Sequence, residues 1–179
     1  VGAYDQTFNG GVAITVSFPV PQSWVGMSGG YGYGHANGTD IAVAHFSADC
    51  TSLIACTYLG GSGNDGINNV LPLVHNYGDH FRGEIALDAQ QWPVVATSTQ
   101  SADIPVSANA PQTTFGGGTQ DAYFFRMNPA LSTLQSTFCG GTGSDSGYGV
   151  LLDSNGQVFM TGGTTSTDLS MAATQQQAA

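Results

Sequence analysis

Two clusters of side chains have the types and spacing for chemistry. His75, Asp79 and His80, with Tyr77 among them and Arg82 just beyond, offer two imidazoles and a carboxylate of the kind that suits zinc-like ions. Their spacing matches no established ligand pattern, and Pro72 upstream with Gly78 inside argues against a helix that would set His75 and Asp79 on one face. Trp24, Tyr31, Tyr33 and His35 form the second cluster. Aromatic rings among neutral polar neighbours are what a glycan or a partner protein stacks upon, or else they pin long loops onto a scaffold. Asp65 and Asp145 each close a glycine-rich turn, where a carboxylate either ligates calcium together with backbone carbonyls or accepts hydrogen bonds from its own turn. Asp79 with Glu84 could act as an acid–base pair on a sugar. No nucleophile elbow or Cys–His pairing is present. The glycines at 60–63 and 116–118 follow strands but open no helix, so they make no phosphate cradle. Asn37-Gly38-Thr39 is a glycosylation sequon in form only.

The bulk composition narrows the partners. Only 8% of the 179 residues are charged, Lys is absent, Arg82 and Arg126 are the only strong cations, and the formal net charge is -10. Such a chain has no electrostatic means of holding a phosphate backbone or an anionic lipid surface. No run of about eighteen apolar residues exists to span a bilayer. Gly, Ser, Thr, Asn and Gln supply the polarity, a balance associated with secreted bacterial surface proteins. The chain opens on Val1 and shows no signal peptide, so it reads as a processed or partial piece. Three cysteines cannot all pair internally. Cys50 and Cys56 on one extended strand would lie roughly 20 Å apart, too far for a disulfide. All three, Cys139 included, are expected as small buried residues of a strand-rich core, with their redox state open.

The elements that must position these residues repeat. Thr57-Tyr58-Leu59-Gly60-Gly61-Ser62-Gly63-Asn64-Asp65 returns as Thr137-Phe138-Cys139-Gly140-Gly141-Thr142-Gly143-Ser144-Asp145. Ser101-Ala102-Asp103-Ile104 returns as Ser166-Thr167-Asp168-Leu169, and the strand opening at Asp40 returns at Asp121. Asp103 and Asp168 are 65 positions apart, so the unit is near 65 residues. Two insertions interrupt it. From Phe8 to Asp40 is 32 positions against 6 from Phe115 to Asp121, and from Asp65 to Leu87 is 22 against 7 from Asp145 to Leu152. The added loops cover about 11–37 and 66–82, and the first contains an alternating run, Val12 to Phe18, that predicts an extra strand. Elsewhere period-2 alternation predicts hairpins, one turning through Asn155-Gly156, where both residues tolerate positive φ. Four short strands per unit and no helical periodicity predict an all-β fold of four-stranded antiparallel propeller blades.

The Thr-Tyr-Leu-Gly-Gly-Ser-Gly-x-Asp word, the Leu-Asp-x-x-Gly-x-Val-Phe-x-Thr-Gly hairpin, the Thr-Ser-x-Asp-Leu tail and the Asp-Ala-Tyr-Phe-x-Arg-Met-Asn strand together resemble the bacterial beta-propeller repeat abbreviated SBBP. The resemblance covers nearly the whole chain outside the insertions. It implies a c–d hairpin at about 40–60, a complete blade at about 84–140 and an a–b hairpin at about 147–163, as part of a larger propeller whose unpaired d and a edges would otherwise be adhesive. It also implies an extracellular or cell-surface context beside other domains. Both insertions then decorate one propeller face, which places Trp24, Tyr31, Tyr33, His35, His75, Tyr77, Asp79, His80 and Arg82 together. The expected function is a non-catalytic module for adhesion or assembly, with no cofactor unless calcium, and with other blades, a protein or a glycan as partner. The alternatives are part of a polysaccharide-active propeller enzyme, or an assembly subunit joined through strand edges.

Overall fold

The computed structural model describes residues 3–18, 31–74, 80 and 83–169, with backbone alone at 15–18 and 31–34. Every sheet is antiparallel. β1 (Ile14–Phe18) pairs with β2 (Tyr31–His35), so the extra strand in the first insertion has a partner from the same insertion. β3 (Ile41–Phe46) pairs with β4 (Leu53–Leu59). β5 (Glu84–Leu87), β6 (Pro93–Thr99), β7 (Asp121–Met127) and β8 (Leu134–Cys139) form one four-stranded sheet in chain order. β9 (Asp145–Leu152) and β10 (Val158–Thr164) form the last hairpin. Among the described residues there is no α-helix; a 3-10 turn lies at Leu71–Leu73. No helix there is long and apolar enough to cross a membrane.

The central sheet is covered on both faces, and its sequence shows why. β6 is buried along its whole length and is rich in β-branched residues, as a strand with neighbours on each side and each face must be. Alternation along β7 sends Tyr123, Phe125 and Met127 to one face, where they meet Phe138, Val43 and Leu59. Phe124 points to the other face, beside Val94, Ala96 and Val150. Tyr123, Phe125 and Phe138 are fully buried, each contributing about 2–3 kcal/mol of apolar burial. The Tyr123 hydroxyl donates to the Pro105 carbonyl at 2.5 Å, so its polar end is not stranded. The β3–β4 hairpin thus lies on one face and β9–β10 on the other. Gly147 permits the second contact, since a Cβ there would come within 2.6 Å of the Thr97 carbonyl oxygen.

The hairpin turns differ from expectation. Asn155 keeps a negative φ, and only Gly156 (φ 78°) is left-handed. Asp153 accepts from the Asn155 and Gln157 amides while Gly156 N–H donates to the Asp153 carbonyl, which makes a longer turn with a left-handed closing residue. The same design recurs at Asp88–Gln91, Asn128–Leu131 and Ser47–Cys50, where Gln91 (φ 63°), Leu131 (φ 51°) and Cys50 (φ 57°) occupy the left-handed position without being glycine. A Cβ in that conformation costs about 1–2 kcal/mol. Gln91 is exposed, so Gln91→Gly should raise stability by about 1 kcal/mol after the extra entropy of the unfolded glycine, read as a higher urea midpoint.

The cysteines also depart from expectation. Cys50 sits in a turn and Cys56 points outward from β4, both exposed, because each lies on the turn or outer face of a hairpin that nothing covers. Cys139 is half-buried, and none of the three is in a disulfide.

Candidate functional site

The repeated glycine words make two copies of one hydrogen-bonded knot. In the first, the Asp65 carboxylate accepts from Gly61 N–H at 2.9 Å and from the Ser101 hydroxyl at 2.7 Å, and the Thr99 hydroxyl donates to its other oxygen. Ser101 Oγ in turn accepts from Gly63 N–H at 2.9 Å, and Asp103 takes Ser62 N–H at 2.8 Å. In the second, Asp145 accepts from Gly141 N–H at 2.9 Å and from the Ser166 hydroxyl at 2.8 Å. Ser166 accepts from Gly143 N–H at 2.9 Å, and Asp168 takes Thr142 N–H at 2.9 Å. Matching distances at equivalent residues make the repeat physical. Each knot fastens the turn after one hairpin to the end of the second strand of the next.

Glycine is required there by space. A Cβ on Gly63 would stand 2.5 Å from the Gln100 carbonyl oxygen, and one on Gly143 2.7 Å from Ser166 N. The electrostatics divide by burial. Asp103 and Asp168 are exposed, and the backbone amides of Ser62 and Thr142 hold their carboxyls below the usual range. Burial pushes Asp65 up to about 6 and Asp121 up to about 6, and raises Asp40. Burial also lifts the Cys139 thiol to about 11, with Asp145 and Asp121 adding to it, so it is not a thiolate nucleophile.

The expected binding residues are only partly brought together. Trp24, His75, Tyr77, Asp79 and Arg82 lie outside the described residues, as do the side chains of Tyr31 and Tyr33, whose backbones lie in β2. His35 ends β2 half-buried. His80 is buried at 5% exposure, and its carbonyl accepts from Asn68 N–H at 2.9 Å. The second insertion is pinned by residues that sequence reasoning passed over. Gln120 donates to Asn68 Oδ1 at 2.9 Å, Asn68 donates to the Leu73 carbonyl at 3.0 Å, and the Tyr148 hydroxyl reaches that same carbonyl at 2.5 Å. The connections before β3 and β7 meet those after β4 and β8 on one side, as Thr39 and Thr119 donating to Asn64 and Ser144 record. Glu84 accepts from Val150 N–H at 2.9 Å, which commits it to the contact between β5 and β9. Among the described residues no three His, Cys, Asp or Glu side chains converge as metal ligands.

The openings in the surface fall between hairpins. One of about 200 Å³ lies among Val43, Phe46, Ile85, Leu87, Pro93 and Leu131, beside the outer edge of β3. Another of about 350 Å³ lies over Phe124, Arg126 and Thr137, beside Val158 of β10. Arg126 is held there by an ion pair with Asp88 and stands 4.6 Å over the Trp92 ring. Open edges remain on every one of these sheets, since β3, β4, β9 and β10 each pair with a single strand, as do β5 and β8 at the ends of the four-stranded sheet.

Repeat equivalence explains what these openings are. Phe46, Tyr58 and Phe159 occupy the positions of Met127, Phe138 and Val94. The first three are 51%, 39% and 55% exposed, whereas the last three are 0% exposed. A position is apolar in both copies and dry only where another hairpin lies against it. No protein-family model, no curated protein and no solved structure matches the chain.

Proposed function

We propose that the chain is a non-catalytic structural repeat module, a stretch of blades in a larger propeller of the bacterial beta-propeller repeat type, displayed by a secreted or surface protein as a scaffold for adhesion or assembly. The observation that carries this reading is the exposure of Phe46, Tyr58 and Phe159 at positions that are dry in the central sheet. The two openings have the place and lining of slots for further hairpins: one for an a–b hairpin over Ile85 and Leu87, the other for a c–d hairpin over Phe124. His45, equivalent to Arg126, ties the β3–β4 hairpin to the four-stranded sheet, its Nδ1 lying 2.8 Å from the Pro129 carbonyl oxygen. Low charge and abundant small polar residues favour the extracellular setting. The elaborated loops on one side are the surface for a protein or glycan partner.

Unfinished apolar faces and open edges associate when nothing else covers them. In sedimentation velocity across the micromolar range the isolated chain should form concentration-dependent species, and Phe159→Asp together with Tyr58→Asp should reduce it to monomer. A wild-type chain that stays monomeric with both faces bare sinks this reading.

A further inference from the structure

Asp40 and Asp65 face one another across Gly60: a single point at its Cβ position lies 2.6 Å from Asp40 Oδ1 and 3.0 Å from Asp65 Oδ2. Asp121 stands against Gly140 in the same way, 2.6 Å from the equivalent point, and Asp145 adds a like charge to it. Asp65, Asp121 and Asp145 are 2% exposed or less. The donors around them are accounted for. Asn9 N–H serves Asp40 Oδ2 at 2.6 Å, and Gly116 N–H serves Asp121 Oδ2 at 2.6 Å. Yet Asp40 Oδ1, Asp121 Oδ1 and Asp145 Oδ1 are buried with no hydrogen-bond partner. In each knot an aspartate with a buried, unpartnered oxygen, Asp40 in the first and Asp121 in the second, stands beside a second aspartate, the arrangement that a proton completes.

We propose that each glycine-rich knot is a proton-binding site, in which Asp40 with Asp65, and Asp121 with Asp145, hold one proton between two carboxyl groups, so that the fastening of one hairpin to the next is tight in acid and loosens as the pH rises. In the second knot the proton sits on the bare Oδ1 of Asp121, which stands against Gly140. In the first it sits on Asp40 Oδ1 and is donated to Asp65 Oδ2. A cation fits less well, because the surrounding groups are N–H and O–H donors whose positive ends face inward. The other titratable groups facing the knots are Asp5, Asp103 and Tyr123 at the first and Cys139 and Asp168 at the second, none of them a cation. Burial raises Asp40, Asp65 and Asp121 above the carboxyl range of an unfolded chain, so the folded state binds more protons between about pH 4 and 6. The stabilisation is then complete below about pH 4 and is lost as the pH climbs through 6.

Thermal unfolding of the full chain in EDTA should show a midpoint roughly 5–10 °C lower at pH 8 than at pH 5. The double variant D40N/D121N places an amide N–H where each proton was, and it should unfold at nearly the same temperature at both values. A variant as pH-dependent as the wild type overturns the proposal. So does a calcium-dependent rise at pH 8 that the variant lacks, which would assign a metal to the pair. Should the variant fail to fold, carboxyl carbon shifts of the wild type decide: Asp65 and Asp121 titrating below about 4.5 overturn it, and titration near 6 supports it.

Discussion

Replacing Asp65 with alanine should lower stability by about 3 kcal/mol, because three buried donors lose one acceptor group at once. Gly61 N–H, the Thr99 hydroxyl and the Ser101 hydroxyl all end on its carboxylate, and all lie where water does not reach. Each unsatisfied donor costs about 1–3 kcal/mol, and removing the repulsion with Asp40 returns part of that sum. Asp145→Ala should behave alike, since Gly141 and Ser166 depend on it. Asp103→Ala should cost far less, although it too accepts two bonds from Ser62, because those groups stand in water and recover their partners from it. Urea unfolding measures the difference as a shift of midpoint at constant slope. Equal losses at Asp65 and Asp103 would mean that the knot is not the fastening described here.

The contrast between these aspartates also marks what sequence can convey. The knots were visible as repeated words, because the glycines and aspartates recur at fixed spacing. What Ser101 and Ser166 fasten was not visible: the bonds from Ser101 to Asp65 and from Ser62 to Asp103 span 36 and 41 residues. Spacing in the chain carries no sign of such closures. Strands were legible for the opposite reason, since alternation at Ile41–Phe46 or Asp121–Met127 is caused locally, by the pleat. The turns were only half legible. Gly156 announces a left-handed residue, but Gln91, Leu131 and Cys50 adopt the same φ under pressure from the hydrogen bonds around them, and nothing in their side chains says so. Polarity misleads in the loops as well: His80 reads as a displayed imidazole and is buried. Its place follows from Asn68 and Gln120, which tie the second insertion down and gave no motif to recognise.

Phe125→Ala should be the most damaging single substitution, at about 4 kcal/mol. Phe125 is fully buried in the cluster with Tyr123, Val43 and Leu131, its ring 5.8 Å from that of Tyr123, and β3–β4 on one side and the sheet on the other leave little room to collapse into the cavity. Phe124, next along the strand, is the informative control. It is half-buried, packed against Val94 and Ala96 but bordering the open slot beside β10, so Phe124→Ala should cost about 1–2 kcal/mol in the isolated chain. The two residues differ in what covers them: Phe125 is enclosed by the β3–β4 hairpin, whereas Phe124 borders the open slot that the proposed reading assigns to a further hairpin. If the slot is filled by a neighbouring repeat, the Phe124→Ala cost must grow toward that of Phe125→Ala in any form of the protein that carries the following c–d hairpin, while the cost at Phe125 stays fixed. Measuring both substitutions in the two lengths of chain separates an interface awaiting its partner from a surface that is simply exposed. A Phe124 cost that does not change with the added hairpin would remove the reason for reading the slot as an interface at all.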